Sequence, residues 1–199
     1  AHMDLTQKLY PALDKLISEI ENKAESVKGI VKTGRTHLMD AMPVDFSDEL
    51  KAWSSQLTAS RRMLEAIEER FLEMPQGGTA VGSGINAHKQ FAKTFAQELT
   101  KLSTSNCKYV SSSNFYHELS AQDCSVQLSS ELKNLAVILM KISNDLRWMN
   151  SGPLAGLSEI ELQALQPGSS IMPGKVNPVI PEAVTMVSAD VIGNDVSIT

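Results

Sequence analysis

Apolar residues recur three and four positions apart over most of this chain, the spacing of helix faces. Leu9, Leu13, Leu16, Ile20 and Val27 share one face of a helix predicted near residues 4–28. Leu50, Trp53, Leu57, Leu64, Ile67, Phe71 and Met74 alternate steps of three and four, with Ser60 in the gap. That is a heptad seam, and it predicts one long helix. Phe91, Phe95, Leu99 and Leu102 mark a shorter helix. Leu128, Leu132, Leu135, Leu139, Ile142, Leu146 and Met149 form a second long seam, whose helix reaches back as far as Phe115. A last helix is predicted from about Pro178, carrying Val184, Val187 and Val191. Three irregular stretches separate these elements: a turn-rich segment from Gly29 to Asp45, a glycine-rich break from Pro75 to Gly84, and a loop from Ser151 to Asn177.

No stretch of strand length alternates apolar with polar residues between turn signals, and aromatic residues make up only 5% of the chain. The expected fold is all-α, a bundle of long helices packed at shallow angles. Residues 4–199 are read as a single helical-bundle domain, and Ala1-His2-Met3 as a cloning remnant. Seams of this length fit a monomeric bundle or one with further faces buried against other chains, and the seams alone do not separate the two. The last residues, Val191 to Thr199, still read as helix with no stop signal, as expected of a piece cut from a longer protein.

Composition narrows the partners. The chain has 199 residues, 42% hydrophobic and 21% charged, with a net charge of −5 and no basic block. Nucleic acid and acidic membrane surfaces are therefore not expected partners. No apolar run approaches membrane-spanning length and no secretory leader is visible. Cys107 and Cys124 have no metal or redox spacing and are expected to be buried, reduced thiols in a cytoplasmic protein.

The chemistry concentrates in one segment, Gly168-Ser169-Ser170-Ile171-Met172-Pro173-Gly174-Lys175-Val176-Asn177-Pro178. It brings two hydroxyls, an ammonium and an amide to the point where a helix can begin, an arrangement suited to an anionic ligand. A serine hydroxyl is too weak a base to take a proton from carbon. Ser169 can do so only if its alkoxide is stabilised by backbone N–H groups, a cation or a dipole. Asn177 is a plausible cap for the following helix, whose first turn tolerates Pro178 and Pro181 and favours the charge of Glu182. In Gly34-Arg35-Thr36-His37, an imidazole after a tight turn has a hydroxyl and a guanidinium beside it, as a proton-transfer group near an anion would.

Other features read as structural. From Gly168 to Lys175 the chain superficially matches a phosphate-binding loop, but five residues separate the glycines and Val176 stands where a hydroxyl is needed. Gly82-Ser83-Gly84-Ile85-Asn86-Ala87 matches a loose dinucleotide fingerprint without the preceding strand. His88 and His117 have no partner pattern, Glu65 to Glu73 reads as a solvated face, and Trp53 and Trp148 sit on seams as core.

The Gly168–Pro178 segment resembles the signature loop of the fumarase/aspartase superfamily. Thr33 to Ala41, Gly77 to Asn86, Lys141 to Trp148, Ser151-Gly152-Pro153 and Pro167 to Pro178 together resemble class II fumarate hydratases over nearly the whole chain. The resemblance implies the central helical domain of that superfamily, a homotetramer with each active site built from three subunits, and reversible hydration of fumarate to L-malate in the tricarboxylic acid cycle without metal or organic cofactor. It implies Ser169 as the base on carbon, and His37, oriented by Glu182, as the group handling the proton of water. It also implies Thr36, Ser170, Lys175, Val176 and Asn177 as substrate-binding residues, with Thr79 and Asn86 farther out. Aspartases typically carry glutamine at the position of His37, so histidine favours water over ammonia. Aspartate ammonia-lyase and a non-catalytic helical scaffold remain the alternatives. The family's first signature region and C-terminal domain are not in this stretch, so the chain alone is expected to be nearly inactive.

Overall fold

The computed structural model describes residues 2–104 and 107–199. Its helices are α1 (His2–Asp4), α2 (Tyr10–Ser26), α3 (Phe46–Glu68), α4 (Phe91–Leu102), α5 (Phe115–Ser120), α6 (Asp123–Met149) and α7 (Val179–Ile198), with a π turn at Leu5–Leu9 and a 3-10 turn at Glu69–Leu72. The all-α class holds. Four short strands join the helices: β1 (Val31–Thr36) pairs antiparallel with β2 (Met39–Asp45), and β3 (Glu73–Met74) pairs parallel with β4 (Val110–Ser111). No helix among the described residues is long and apolar enough to cross a membrane.

The chain divides into two compact units. One comprises residues 1–16, 59–131 and 198. Its core includes Leu5, Tyr10, Leu13, Leu64, Ile67 and Ala96, with Ser60 at 1% exposure filling the gap in the α3 seam. The Arg61 guanidinium lies 3.6 Å over the Tyr10 ring and binds Asp14 at 3.2 Å. Burial, with Glu68 nearby, pushes the Tyr10 phenol up to about 12. His2, set aside in reading the sequence, is buried, with Nε2 2.8 Å from Glu68. The α3 seam does not run to Met74 as a helix. It tightens at Glu69 and is already extended at Glu73 (ψ 126°). Pro75 then disfavours a return to helix at Met74, the residue before it. Nor is Phe115 to Met149 one helix. Ala121 is extended (φ −122°, ψ 153°) and α6 starts afresh at Asp123, where Arg70 donates a 2.6 Å hydrogen bond. His117, which showed no partner in the sequence, lies 3.2 Å from the same carboxylate. Cys107 and Cys124 form no disulfide with each other and are half-buried, not enclosed.

The other unit comprises residues 17–58, 132–197 and 199. Its core is built from Ala24, Val27, Leu50, Trp53, Leu57, Leu135, Ala136, Ile142 and Met149, on the faces the seams predicted, although Leu16, expected on the α2 face, is exposed. Trp148 does not join them; it is 53% exposed and stands at a cavity mouth. On α7 the buried positions are Pro181, Ser188 and Asp195, one face at seven-residue spacing, and Val187 points to solvent. Lys133 pairs with Asp195 there.

The segment from Gly29 to Asp45, expected as turns, is the β1–β2 hairpin. Its strands escape the period-two test because β2 is exposed along almost its whole length. Alternation marks a strand only where one face is buried. Asp45 fastens the base: its carboxylate accepts from Ser47 N and Gly29 N, each at 2.8 Å. The Ser47 side chain, then these two N–H groups, hold that carboxyl below its usual range. A bulge interrupts the register between Thr33 and Arg35. The extra residue is on β2, where Ala41 and Met42 oppose Gly34 alone. A Cβ on Gly34 would lie 2.5 Å from the Met42 carbonyl oxygen.

Candidate active site

Thr36 closes β1, and His37 and Leu38 make the two-residue turn, both at positive φ (51° and 62°). Two-residue hairpins need that left-handed backbone, which asparagine and glycine adopt cheaply and bulky residues do not. The strain is local to the imidazole, which is exposed and lines a cavity of about 570 Å³ with Arg35, Leu38, Lys141, Asp145 and Glu159.

Glu159 is the most heavily engaged carboxylate of this cavity. Its Oε1 accepts from Arg35 Nη1 at 2.7 Å and its Oε2 lies 3.2 Å from Lys32 Nζ. Partial burial alone would raise its pKa. The Arg35 hydrogen bond and the Lys32 ammonium outweigh that and hold the carboxyl below the usual glutamate value. Lys32 also reaches Glu49 at 2.6 Å.

The Gly168–Pro178 loop is internally braced. Ser169 N donates to the Lys175 carbonyl at 3.0 Å and Lys175 N to that of Met172 at 3.1 Å. Gly174 supplies the turn, at φ +82°. The Ser169 hydroxyl oxygen sits inside the loop and accepts from two backbone N–H groups, Ile171 at 3.3 Å and Met172 at 3.2 Å. Ser170 beside it is exposed. Lys175 Nζ donates to Asn177 Oδ1 at 2.8 Å. Asn177 therefore does not cap α7 with its side chain. Pro178 is the capping residue and makes no side-chain cap bond, while the Asn177 carbonyl accepts from Val179 N at 2.9 Å. Glu182 lies in the first turn of α7, half-buried. Lys175, Val176, Asn177 and Glu182 line one cavity of about 450 Å³ with Arg147 and Trp148.

Four of the expected site residues thus converge on one cavity. His37 lines another, and Thr36, Ser169 and Ser170 line neither. Sequence reasoning gave no role to Glu159. Its only signal was a charged residue in an otherwise mostly uncharged loop, which carries no information about partners more than a hundred positions away.

A family model described as "Lyase" matches residues 1–193. The chain belongs to the lyase family. This lyase-family chain is 54% identical over its full length to "Fumarate hydratase class II 2" of Pseudomonas aeruginosa, of which it covers 43%. It is 44% identical to the class II fumarate hydratase of Bacillus subtilis, matching over 96% of this chain and 41% of the relative. Among solved structures, the recombinant class II fumarase of Schistosoma mansoni superposes with a TM-score of 0.92 at 35% identity, over 98% of this chain and 43% of that one. The fumarate lyase:delta crystallin of Brucella melitensis, in a cobalt-bound crystal, superposes at 0.88 with 42% identity, covering 94% and 40%. The lyase-family chain spans about two fifths of the length of these relatives.

Proposed function

We propose that the protein containing this chain is a class II fumarate hydratase, interconverting fumarate and L-malate. The observation that carries the proposal is the Ser169 hydroxyl oxygen, which accepts two backbone N–H bonds beside a paired Lys175 and Asn177. Such donors stabilise an alkoxide, the only form in which serine can act on carbon.

Taken from malate, the Ser169 alkoxide removes the proton from the carbon next to one carboxylate. The electron pair left behind moves into that carboxylate and makes an aci-carboxylate dianion. Lys175 and Asn177 hold this group as its charge grows, with Ser170 adding a hydrogen bond and Val176 flanking the substrate. The hydroxyl on the neighbouring carbon departs as water, taking a proton from His37, and the double bond of fumarate forms. Glu182 orients His37, and Thr36 helps position the substrate. Fixed donors aimed at developing charge lower the barrier more than equal binding of both states would. No metal or organic cofactor is assigned a step.

Within one chain His37 and Glu182 line different cavities. This separation supports an active site assembled from neighbouring subunits of a homotetramer, with His37 of one facing Ser169 and Glu182 of others. The setting would be the cytoplasmic tricarboxylic acid cycle. The test is fumarate turnover by the full-length protein, followed by loss of ultraviolet absorbance. Ser169→Ala is expected to lower kcat by about a thousandfold. Wild-type rates in that variant, or turnover of L-aspartate in place of fumarate, overturn the proposal. The isolated 199-residue chain, which spans about two fifths of the length of its relatives, is expected to be nearly inactive.

A further inference from the structure

We propose that Glu159 is a positioning residue for His37, a clamp that fixes the hairpin to the root of the catalytic loop. The inference rests on the hydratase reading for the role of His37, and on the geometry alone for the clamp.

Glu159 is held in place by backbone. Its own N–H donates to the Met149 carbonyl at 2.8 Å, and Ser158 N donates to the Ser151 carbonyl at 2.8 Å. Leu157 N reaches the Ser151 hydroxyl at 3.0 Å and Leu162 N the Asn150 Oδ1 at 2.8 Å. Residues 157–162 are thus stitched onto the C-terminal end of α6, which fixes the backbone from which the carboxylate projects. From this fixed point it grips β1 twice, through Lys32 and through Arg35. All three side chains are largely buried, with exposures of 14%, 21% and 15% for Lys32, Arg35 and Glu159. At that depth a charge-assisted pair restricts geometry more than a surface pair does. Arg35 is two residues from His37, on the strand that ends in the strained turn.

The hairpin needs such a grip. β2 is exposed almost throughout, and Met39 and Met42 are 71% and 79% exposed. Within the chain, the tip therefore has little apolar packing to hold it. A two-stranded ribbon is marginal by itself. Without the clamp the tip would move, and displacement of a proton-transfer group by an ångström costs rate without loosening the carboxylate contacts supplied by the Lys175 segment.

The test uses the full-length protein and the variants Glu159→Gln and Glu159→Asp. Hydrogen exchange of amides 31–45 is expected to accelerate about tenfold in Glu159→Gln while that of α4 stays unchanged. In the same variant kcat is expected to fall about tenfold or more, with KM for fumarate shifted less than about twofold. Glu159→Asp keeps the charge and is expected to recover part of both losses. Unchanged hairpin exchange overturns the clamp, and a loss of protection spread over all helices reduces Glu159 to a structural residue. A wild-type protein that leaves fumarate untouched refutes the hydratase reading and the catalytic half of this inference, while the exchange result still decides whether Glu159 holds the hairpin.

Discussion

Lys175 donates from Nζ to Oδ1 of Asn177 at 2.8 Å, so the ammonium and amide proposed to receive a carboxylate are bound to each other. The contact places the cation beside the donor amide. A carboxylate can displace the amide oxygen and accept from both residues.

The variant Asn177→Asp tests this arrangement. A carboxylate in place of the amide would pair with Lys175 and repel a dianionic substrate. KM for fumarate is expected to rise by more than about tenfold, with the fold intact by circular dichroism. A KM within about twofold of wild type would remove Asn177 from the substrate site.

Gly34→Ala tests the hairpin bulge. The new Cβ would meet the Met42 carbonyl oxygen at 2.5 Å, a contact with backbone and not with a movable side-chain end. The strands must part or the register must slip, at an expected cost of about 1–3 kcal/mol in urea unfolding, with faster exchange of hairpin amides. An unchanged midpoint would show that the bulge can relax.

Glu159 makes stability depend on pH. Its carboxyl is held below its ordinary value of 4.5 in the folded chain. A depressed carboxylate contributes stability that is fully present above the unfolded pKa and is lost as pH falls through the lower, folded one. Wild type is therefore expected to be more stable than Glu159→Gln at neutral pH, and the difference should shrink below about pH 4.5. Thermal midpoints of both proteins across pH 3–7 check this prediction. A gap that does not change with pH would contradict it.

Ser60→Ala is expected to stabilise the protein. The Ser60 hydroxyl is 1% exposed, and among the described residues its oxygen has no hydrogen-bond partner. Removing a buried unpaired hydroxyl from an apolar seam is expected to gain about 1 kcal/mol, read as a raised urea midpoint. A destabilised variant would mean that the hydroxyl has a partner, such as an ordered water.

The sequence by itself determined the helical class, the faces of α2, α3 and α6 that form the cores, and the loop that carries Ser169, Lys175 and Asn177. These are local matters: a seam of Leu50, Trp53 and Leu57 repeats within one element, and Gly174 permits a backbone angle whatever surrounds it. Only the tertiary structure decided that Gly29 to Asp45 is a hairpin, that α7 buries Ser188 and Asp195 in preference to Val187, that Trp148 faces solvent, and that Glu159 reaches β1. Each depends on groups distant along the chain. Exposure of β2 erased the alternation that marks a strand, and a charge between Ser158 and Ile160 does not announce partners at Lys32 and Arg35. Periodicity reports which face of an element is apolar, whereas burial and ion pairing are settled by what that face meets.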